Sequence, residues 1–207
     1  HIAVTPDEIP VYESYGVNAD SVTVIPNGIN EIDFQYDEGD SFSQSFGLNG
    51  KPFILFMGRL NFIKGPDLLL KAFCAVAKQF PSYHLVFAGP DGGMLSELQQ
   101  LSKDENIGDR VHFIGYIAGK DKANAYHEAA FLVIPSRQEA MSIVVLEAGI
   151  CCTPVLLTDR CGFNDVEAVD GGLVVQASIN ELVNGLIKMM TKHHHLVGMG
   201  IKLKNFV

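Results

Sequence analysis

Cationic and acidic side chains recur in this sequence where an apolar run gives way to a helical segment. Gly58-Arg59-Leu60 closes one such run and Lys64-Gly65-Pro66-Asp67 opens the segment that follows, with Pro66 at the first-turn position that proline favours. Arg offers a planar fork and Lys a compact point charge, a pairing suited to the two phosphates of a diphosphate. A helix start adds free N–H groups and a positive dipole. Two solvated loop cations are the competing reading. A second constellation is Pro135-Ser136-Arg137-Gln138-Glu139, followed by Met141-Ser142 and the apolar segment Ile143 to Ile150 with Glu147 inside it. A carboxylate among Val144, Val145, Leu146 and Ala148 is costly unless hydrogen bonds or a partner compensate it, and a diol supplies two such bonds. A partly exposed helix position is the alternative for Glu147. Ser142 is of the type that caps helices, which would aim the Ser142 and Ile143 N–H groups at an anion.

Other chemistries find less support. A helical rise of ~1.5 Å per residue from Ser142 sets the Glu139 and Glu147 carboxylates roughly 8 to 12 Å apart, beyond the ~5 Å of a retaining glycosidase. An inverting pair stays compatible with that separation. His193, His194 and His195 are successive, would point about 100° apart on a helix, and read as a solvated surface. His127 reads as a helix-surface or packing histidine. The chain has no GxxxxGK[ST], no GxGxxG after a strand, no GxSxG and no HExxH, which removes support for an NTPase, a dinucleotide oxidoreductase, a serine hydrolase and a zinc protease. Cys74, Cys151, Cys152 and Cys161 show neither CxxC spacing nor the density of a disulfide scaffold, so a reduced, cytosolic setting fits best.

The elements that must position these residues alternate. Short apolar runs at Pro52 to Met57, His84 to Ala88, Val111 to Ile114, Phe131 to Ile134, Val155 to Leu157 and Leu173 to Val175 read as two-sidedly buried parallel strands. Between them Leu68, Leu69, Ala72, Phe73, Val76 and Phe80 follow a helical period, as do Leu95, Leu98 and Leu101, and Leu182, Leu186 and Met190. The class is α/β, a Rossmann-like parallel sheet of about six strands with helices on both faces. In such sheets ligands bind beyond the carboxyl ends of the strands, where Arg59, Lys64 and Glu147 are expected to meet at one rim.

Residues 1–36 read separately, as a strand at Ile2 to Val4, a polar helix around Asp7 to Tyr15, and a run from Val22 to Ile25 ending in the joint Pro26-Asn27-Gly28. The acidic stretch Asp37 to Ser45 has no apolar period and is expected to be a solvated linker, which sets the domain boundary beside it. Fifteen Lys and Arg against 24 Asp and Glu give a net charge of −9, which argues against nucleic acid or an anionic surface as partner. Apolar stretches fall far short of the ~18 residues of a membrane helix. The chain opens on His1 and is expected to be an excerpt of a longer protein.

Gly58-Arg59-Leu60 with Lys64-Gly65, and Glu139 with Glu147, resemble the C-terminal donor half of retaining GT-B glycosyltransferases of the group 1, family 4 type. Val24-Ile25-Pro26-Asn27-Gly28, Gly115 and Thr153-Pro154-Val155 extend the likeness over about residues 22 to 190. The resemblance implies a hexosyltransferase that moves a sugar from a nucleoside-diphosphate sugar to a saccharide or lipid-linked acceptor in cell-surface polysaccharide synthesis. It implies no metal and no cofactor beyond the donor. Arg59 and Lys64 would hold the diphosphate, Glu147 the ribose and Glu139 the transferred sugar, these making Arg59, Lys64 and Glu139 the catalytic set. Met141, Ser142 and Ile143 would contact phosphate or sugar through their backbone, Tyr116 and Ile117 would grip the base, and Gly58 and Gly89 would face the donor. Residues 1–36 would be the tail of an acceptor-binding domain and 37–207 the nucleotide-sugar domain, inactive by itself. A cytoplasmic setting follows, including the inner face of the membrane, with which the full-length enzyme would associate peripherally. Ala140-Met141-Ser142 stands where the family commonly has Gly-Phe-Gly, and Cys152 where Gly is usual, so the donor sugar is left open. A GT-B nucleotide-sugar epimerase and a non-catalytic phosphate-ligand module are the rival readings.

Overall fold

A computed structural model describes residues 1–39 and 41–207. The chain begins with β1 (Ile2–Ala3), a 3-10 turn at Pro6–Glu8, α1 (Ile9–Ser14) and β2 (Thr23–Val24), the two strands pairing in parallel. A further 3-10 turn at Glu31–Phe34 and α2 (Phe42–Ser45) lead into the main sheet. There β3 (Phe53–Met57), α3 (Pro66–Val76), β4 (His84–Ala88), α4 (Leu95–Asp104) and β5 (Val111–Gly115) build outward in one direction. The helix α5 (Gly119–Glu128) carries the chain back to the middle, where β6 (Phe131–Ile134), α6 (Ile143–Ile150), β7 (Val155–Thr158), α7 (Asp165–Ala168) and β8 (Gly172–Val175) build the other way. The helices α8 (Ile179–Thr191) and α9 (His193–Phe206) follow.

The six strands are all parallel, in the order β5-β4-β3-β6-β7-β8. Strand order therefore reverses between β3 and β6, and the diverging loops beyond their carboxyl ends leave a crevice, the usual ligand position in such sheets. The expected α/β architecture is the one found.

Alternation along the strands divides the core into two layers. Ile54, Phe56, Leu85, Phe87, Phe131 and Val133 face one way and pack with Leu69 and Phe73 of α3 and Leu182 and Leu186 of α8. Phe53, Leu55, Val86, Leu132 and Ile134 face the other, against Tyr126 of α5, Val145 of α6 and Leu203 of α9. Each such side chain gains ~1.5–3 kcal/mol on burial. Two buried faces leave no polar alternation, which is why the strands read as continuous apolar runs.

The linker expectation fails. Phe42 is 1 % exposed, its ring centroid 5.5 Å from that of Phe53. Glu128 of α5 accepts hydrogen bonds from the Phe42 and Ser43 N–H groups at 2.8 and 2.9 Å. Upstream, the Phe34 ring lies 6.2 Å from that of Tyr126 and the Phe34 carbonyl accepts a hydrogen bond from His127 Nε2 at 2.8 Å. A boundary at residue 36 thus falls within a segment that packs against the sheet domain on both sides of that point. Isolated phenylalanines without periodicity act here as single anchors, a signal that period counting does not register. Asp40, within the expected linker, lies outside the described residues.

Candidate functional site

The loop leaving β3 is held by close backbone contacts. Gly65 takes a left-handed conformation (φ 67°), and a Cβ on it would stand 2.2 Å from the Pro135 carbonyl oxygen, so the segment bearing Lys64 presses directly on the chain leaving β6. A Cβ on Gly89 would stand 1.9 Å from the Gly58 carbonyl oxygen, and these two glycines let the tops of β3 and β4 touch. Arg137 clamps the same loop. Its backbone N–H donates to Ile63 O at 2.8 Å, and its guanidinium donates to Asp67 at 2.9 and 2.7 Å and to Phe62 O at 2.6 Å. The guanidinium also lies 3.9 Å from the Phe62 ring centroid. Burial alone would push the Asp67 carboxyl up, but the Arg137 hydrogen bonds and charge outweigh it and hold the group below the ordinary carboxylate range.

Lys64 Nζ meets Glu139 Oε2 at 3.0 Å. Ser136 Oγ donates to the other oxygen of Glu139, and the Ser136 carbonyl accepts in turn from Thr158 Oγ1 at 2.5 Å. These groups line a small recess of about 70 Å³ with Gly58, Ser142 and Ile143. Ser142 does precede α6, but its hydroxyl makes no cap bond and its N–H is taken by Cys161 O at 3.1 Å. That corrects the expected anion site, which moves one residue on: among the described residues the Ile143 and Val144 N–H groups have no acceptor. The Ser142 hydroxyl is buried and has no hydrogen-bond partner among the described residues. At the next strand end the situation is opposite. Asp91 Oδ1 accepts from the Gly93, Met94 and Leu95 N–H groups at 2.7, 3.0 and 3.1 Å, so the start of α4 is already capped, and these bonds hold the Asp91 carboxyl below its ordinary range.

Glu147 is 6 % exposed, so the alternative of a partly exposed helix position is set aside. One oxygen meets Lys122 Nζ at 2.6 Å and the other accepts from Tyr126 OH at 2.6 Å. Burial, and then the Glu147 charge, push the Tyr126 hydroxyl well above its ordinary range. Glu147, Lys122 and Tyr116 line a hollow of about 880 Å³ together with Phe34 and Tyr36.

The structure thus groups the expected residues in two places along the carboxyl edge. Gly58, Lys64, Glu139, Ser142 and Ile143 surround the recess, and Tyr116 and Glu147 line the larger hollow. Arg59, Gly89, Ile117 and Met141 line neither. Arg59 is exposed and, among the described residues, has no ion pair or side-chain hydrogen bond, so the expectation that Arg59, Lys64 and Glu147 open onto one hollow does not hold. Ile117 turns its side chain into the core, and Met141 packs partly buried against the same layer. The histidines read as expected, His193, His194 and His195 being exposed and His127 bonded to backbone. Sequence reasoning missed Lys122 and Tyr126, four positions apart and so on one helix face, because nothing local ties that face to Glu147. Among the described residues no three His, Cys, Asp or Glu side chains converge for a metal, and no helix is long and apolar enough to cross a membrane.

Known proteins share this fold. The family described as glycosyl transferases group 1 matches residues 39–204. D-inositol 3-phosphate glycosyltransferase of Rhodococcus erythropolis is 31 % identical over 189 residues, covering 87 % of this chain and 43 % of the relative. Mannosylfructose-phosphate synthase of Agrobacterium fabrum is 32 % identical over 173 residues, covering 78 % of this chain and 38 % of the relative. The chain therefore spans less than half the length of these relatives. The crystal structure of Anabaena HepE in complex with UDP and glucose superposes with a TM-score of 0.89 at 20 % identity, over 99 % of this chain and 57 % of that one, a likeness of fold. With the fold, the ordered motifs and the family match in agreement, this chain belongs to the group 1 glycosyl transferases.

Proposed function

We propose that the chain is the donor-binding half of a retaining glycosyltransferase that moves a hexose from a nucleoside-diphosphate sugar to a saccharide or lipid-linked acceptor, in cell-surface polysaccharide synthesis on the cytoplasmic side of the membrane. The observation that carries this reading is the Ser142 hydroxyl, buried and without a partner among the described residues, at the start of α6 beside the Lys64–Glu139 pair. A phosphate oxygen at that point accepts from the hydroxyl and from the Ile143 and Val144 N–H groups, and the helix dipole favours its charge. As the bond from the anomeric carbon to the diphosphate oxygen breaks, negative charge grows on the leaving group. Lys64, and Arg59 swung from its exposed position, stabilise that charge where a divalent ion otherwise would. Glu139, oriented by Ser136, accepts from hydroxyls of the sugar. Glu147 accepts from the ribose, Tyr116 and the Ile117 backbone border the base, and Met141 contributes backbone. Gly58, which lines the recess, leaves room for the ligand's close approach, while Gly89 admits the Gly58 backbone that shapes that loop. HepE, with UDP and glucose in its crystal, supports a sugar nucleotide as the donor class. The acceptor is assigned to the remainder of the longer protein.

Calorimetry with UDP, GDP and ADP in chelator tests the reading. One nucleotide is expected to bind, and Arg59→Ala or Glu147→Ala to weaken it at least tenfold, about 1.4 kcal/mol. Equal affinities for the parent chain and both variants would refute it. Transfer to an acceptor, with no epimerised donor released, is expected of the full-length protein alone.

A further inference from the structure

We infer that Lys122 and Tyr126 are positioning residues that fix the Glu147 carboxylate to receive the 2′,3′-diol of the nucleoside, making the site selective for ribonucleotides over deoxyribonucleotides. The inference rests on the assignment of Glu147 to the ribose made above.

A carboxylate inside an apolar helix has two troubles: its charge lacks water, and its torsions let it swing away from a ligand. The face of α5 answers both. Lys122 and Tyr126 each engage a different oxygen at 2.6 Å, so the carboxylate plane is fixed by a cation at the hollow and a neutral donor in the core. Tyr126 is fully buried and cannot move aside, while the Lys122 side chain stays 28 % exposed and its ammonium sits 5.5 Å from the Phe34 ring centroid. An ionised carboxyl has about four lone-pair sites. With one used on each oxygen by α5, each oxygen keeps one acceptor site that no other described residue takes, and Glu147 lines the large hollow. Two acceptor sites on neighbouring oxygens match two vicinal O–H donors. A site built to bond a hydroxyl discriminates strongly against the analogue without it, because the buried acceptor is then left unpaired. Fixing the carboxylate is what converts the missing hydroxyl into lost affinity, since a carboxylate free to turn finds water instead.

Titration of the chain with UDP, GDP and ADP and with their 2′-deoxy counterparts tests this. The parent chain should bind one ribonucleotide at least tenfold more tightly than its 2′-deoxy form. Lys122→Met should weaken the ribonucleotide about tenfold and leave the deoxy form within threefold, so that the ratio collapses, and Lys122→Arg should restore part of it. The ratio isolates positioning from folding, because general loosening of the hollow lowers both affinities together. Tyr126→Phe should collapse the ratio likewise and serves if Lys122→Met does not fold. A parental ratio preserved in a folded variant overturns the positioning role, and unfolding of both variants reassigns the pair to stability and overturns it too. A parent chain that binds both forms equally overturns the ribose assignment of Glu147 itself, so the two failures are distinct.

Discussion

Replacing Arg137 by Met keeps an unbranched apolar stem and removes the guanidinium with its charge and donors. Asp67, 7 % exposed, would then lose both bonds of a bidentate pair while remaining buried. Breaking one side of a fully buried pair costs about 3–5 kcal/mol. The Arg137 side chain is 23 % exposed, so water softens the loss to about 2–3 kcal/mol, and leaving the Phe62 ring adds ~0.5–1 kcal/mol. For a domain of this size the sum near ~3 kcal/mol lowers the melting temperature by roughly 6–12 °C. The pH dependence has a definite sign. In the parent chain the folded-state value of Asp67 lies below its ordinary 3.8, so the stability it contributes is present above that value and fades as pH falls through the lower folded one. In Arg137→Met the chief opposition to burial is gone, leaving the Asp67 backbone N–H and the Lys71 charge, so the carboxyl is shifted upward relative to the parent and the variant recovers as it takes up a proton. Thermal melts of both proteins at about pH 7.5 and about pH 4 should show a large gap at the first and a smaller one at the second. A variant melting within ~2 °C of the parent at neutral pH, or a gap that widens in acid, would refute the reasoning.

Phe42→Ala removes a ring packed 4.6 Å from Phe46 and 5.5 Å from Phe53, and should cost ~3–5 kcal/mol and speed protease cleavage near α2; an unchanged melting curve would reinstate the linker. His84 and His112 stack with ring centroids 5.1 Å apart and nitrogens at 2.8 Å, and burial foremost holds both below the ordinary 6.5. Folding therefore favours neutral rings, and stability should fall as pH drops from about 6.5 through the folded values. Urea midpoints should show that slope in the parent chain and a flatter one in the His84→Gln, His112→Gln double variant, and parallel slopes would count against it.

The sheet was legible because burial on both faces leaves an apolar run that local composition shows directly. His84–Ala88, Phe131–Ile134 and Ile143–Ile150 lie where the sequence puts them, and the remaining core strands differ by a residue at an end. The candidate site was legible only as residue types at strand ends. What each one touches depends on chain segments far apart: Ser142 yields its N–H to Cys161, and Glu147 takes donors 21 and 25 positions upstream. Arg59 shares the strand end of Gly58 but projects outside both hollows, because a motif fixes where a backbone turns and leaves a long side chain's direction to its neighbours.

The contrast between the first turns of α4 and α6 has a consequence for how any anion would register along this edge. Asp91 brings a full negative charge to the head of one helix, neutralising its pull and repelling a visitor of like sign, while Ser142 leaves the head of the other unquenched. Attraction along the rim would thereby be graded, drawing a charged guest towards the middle of the sheet even before a lysine reaches it. Selectivity of place would then arise as much from one seat being filled as from another being prepared.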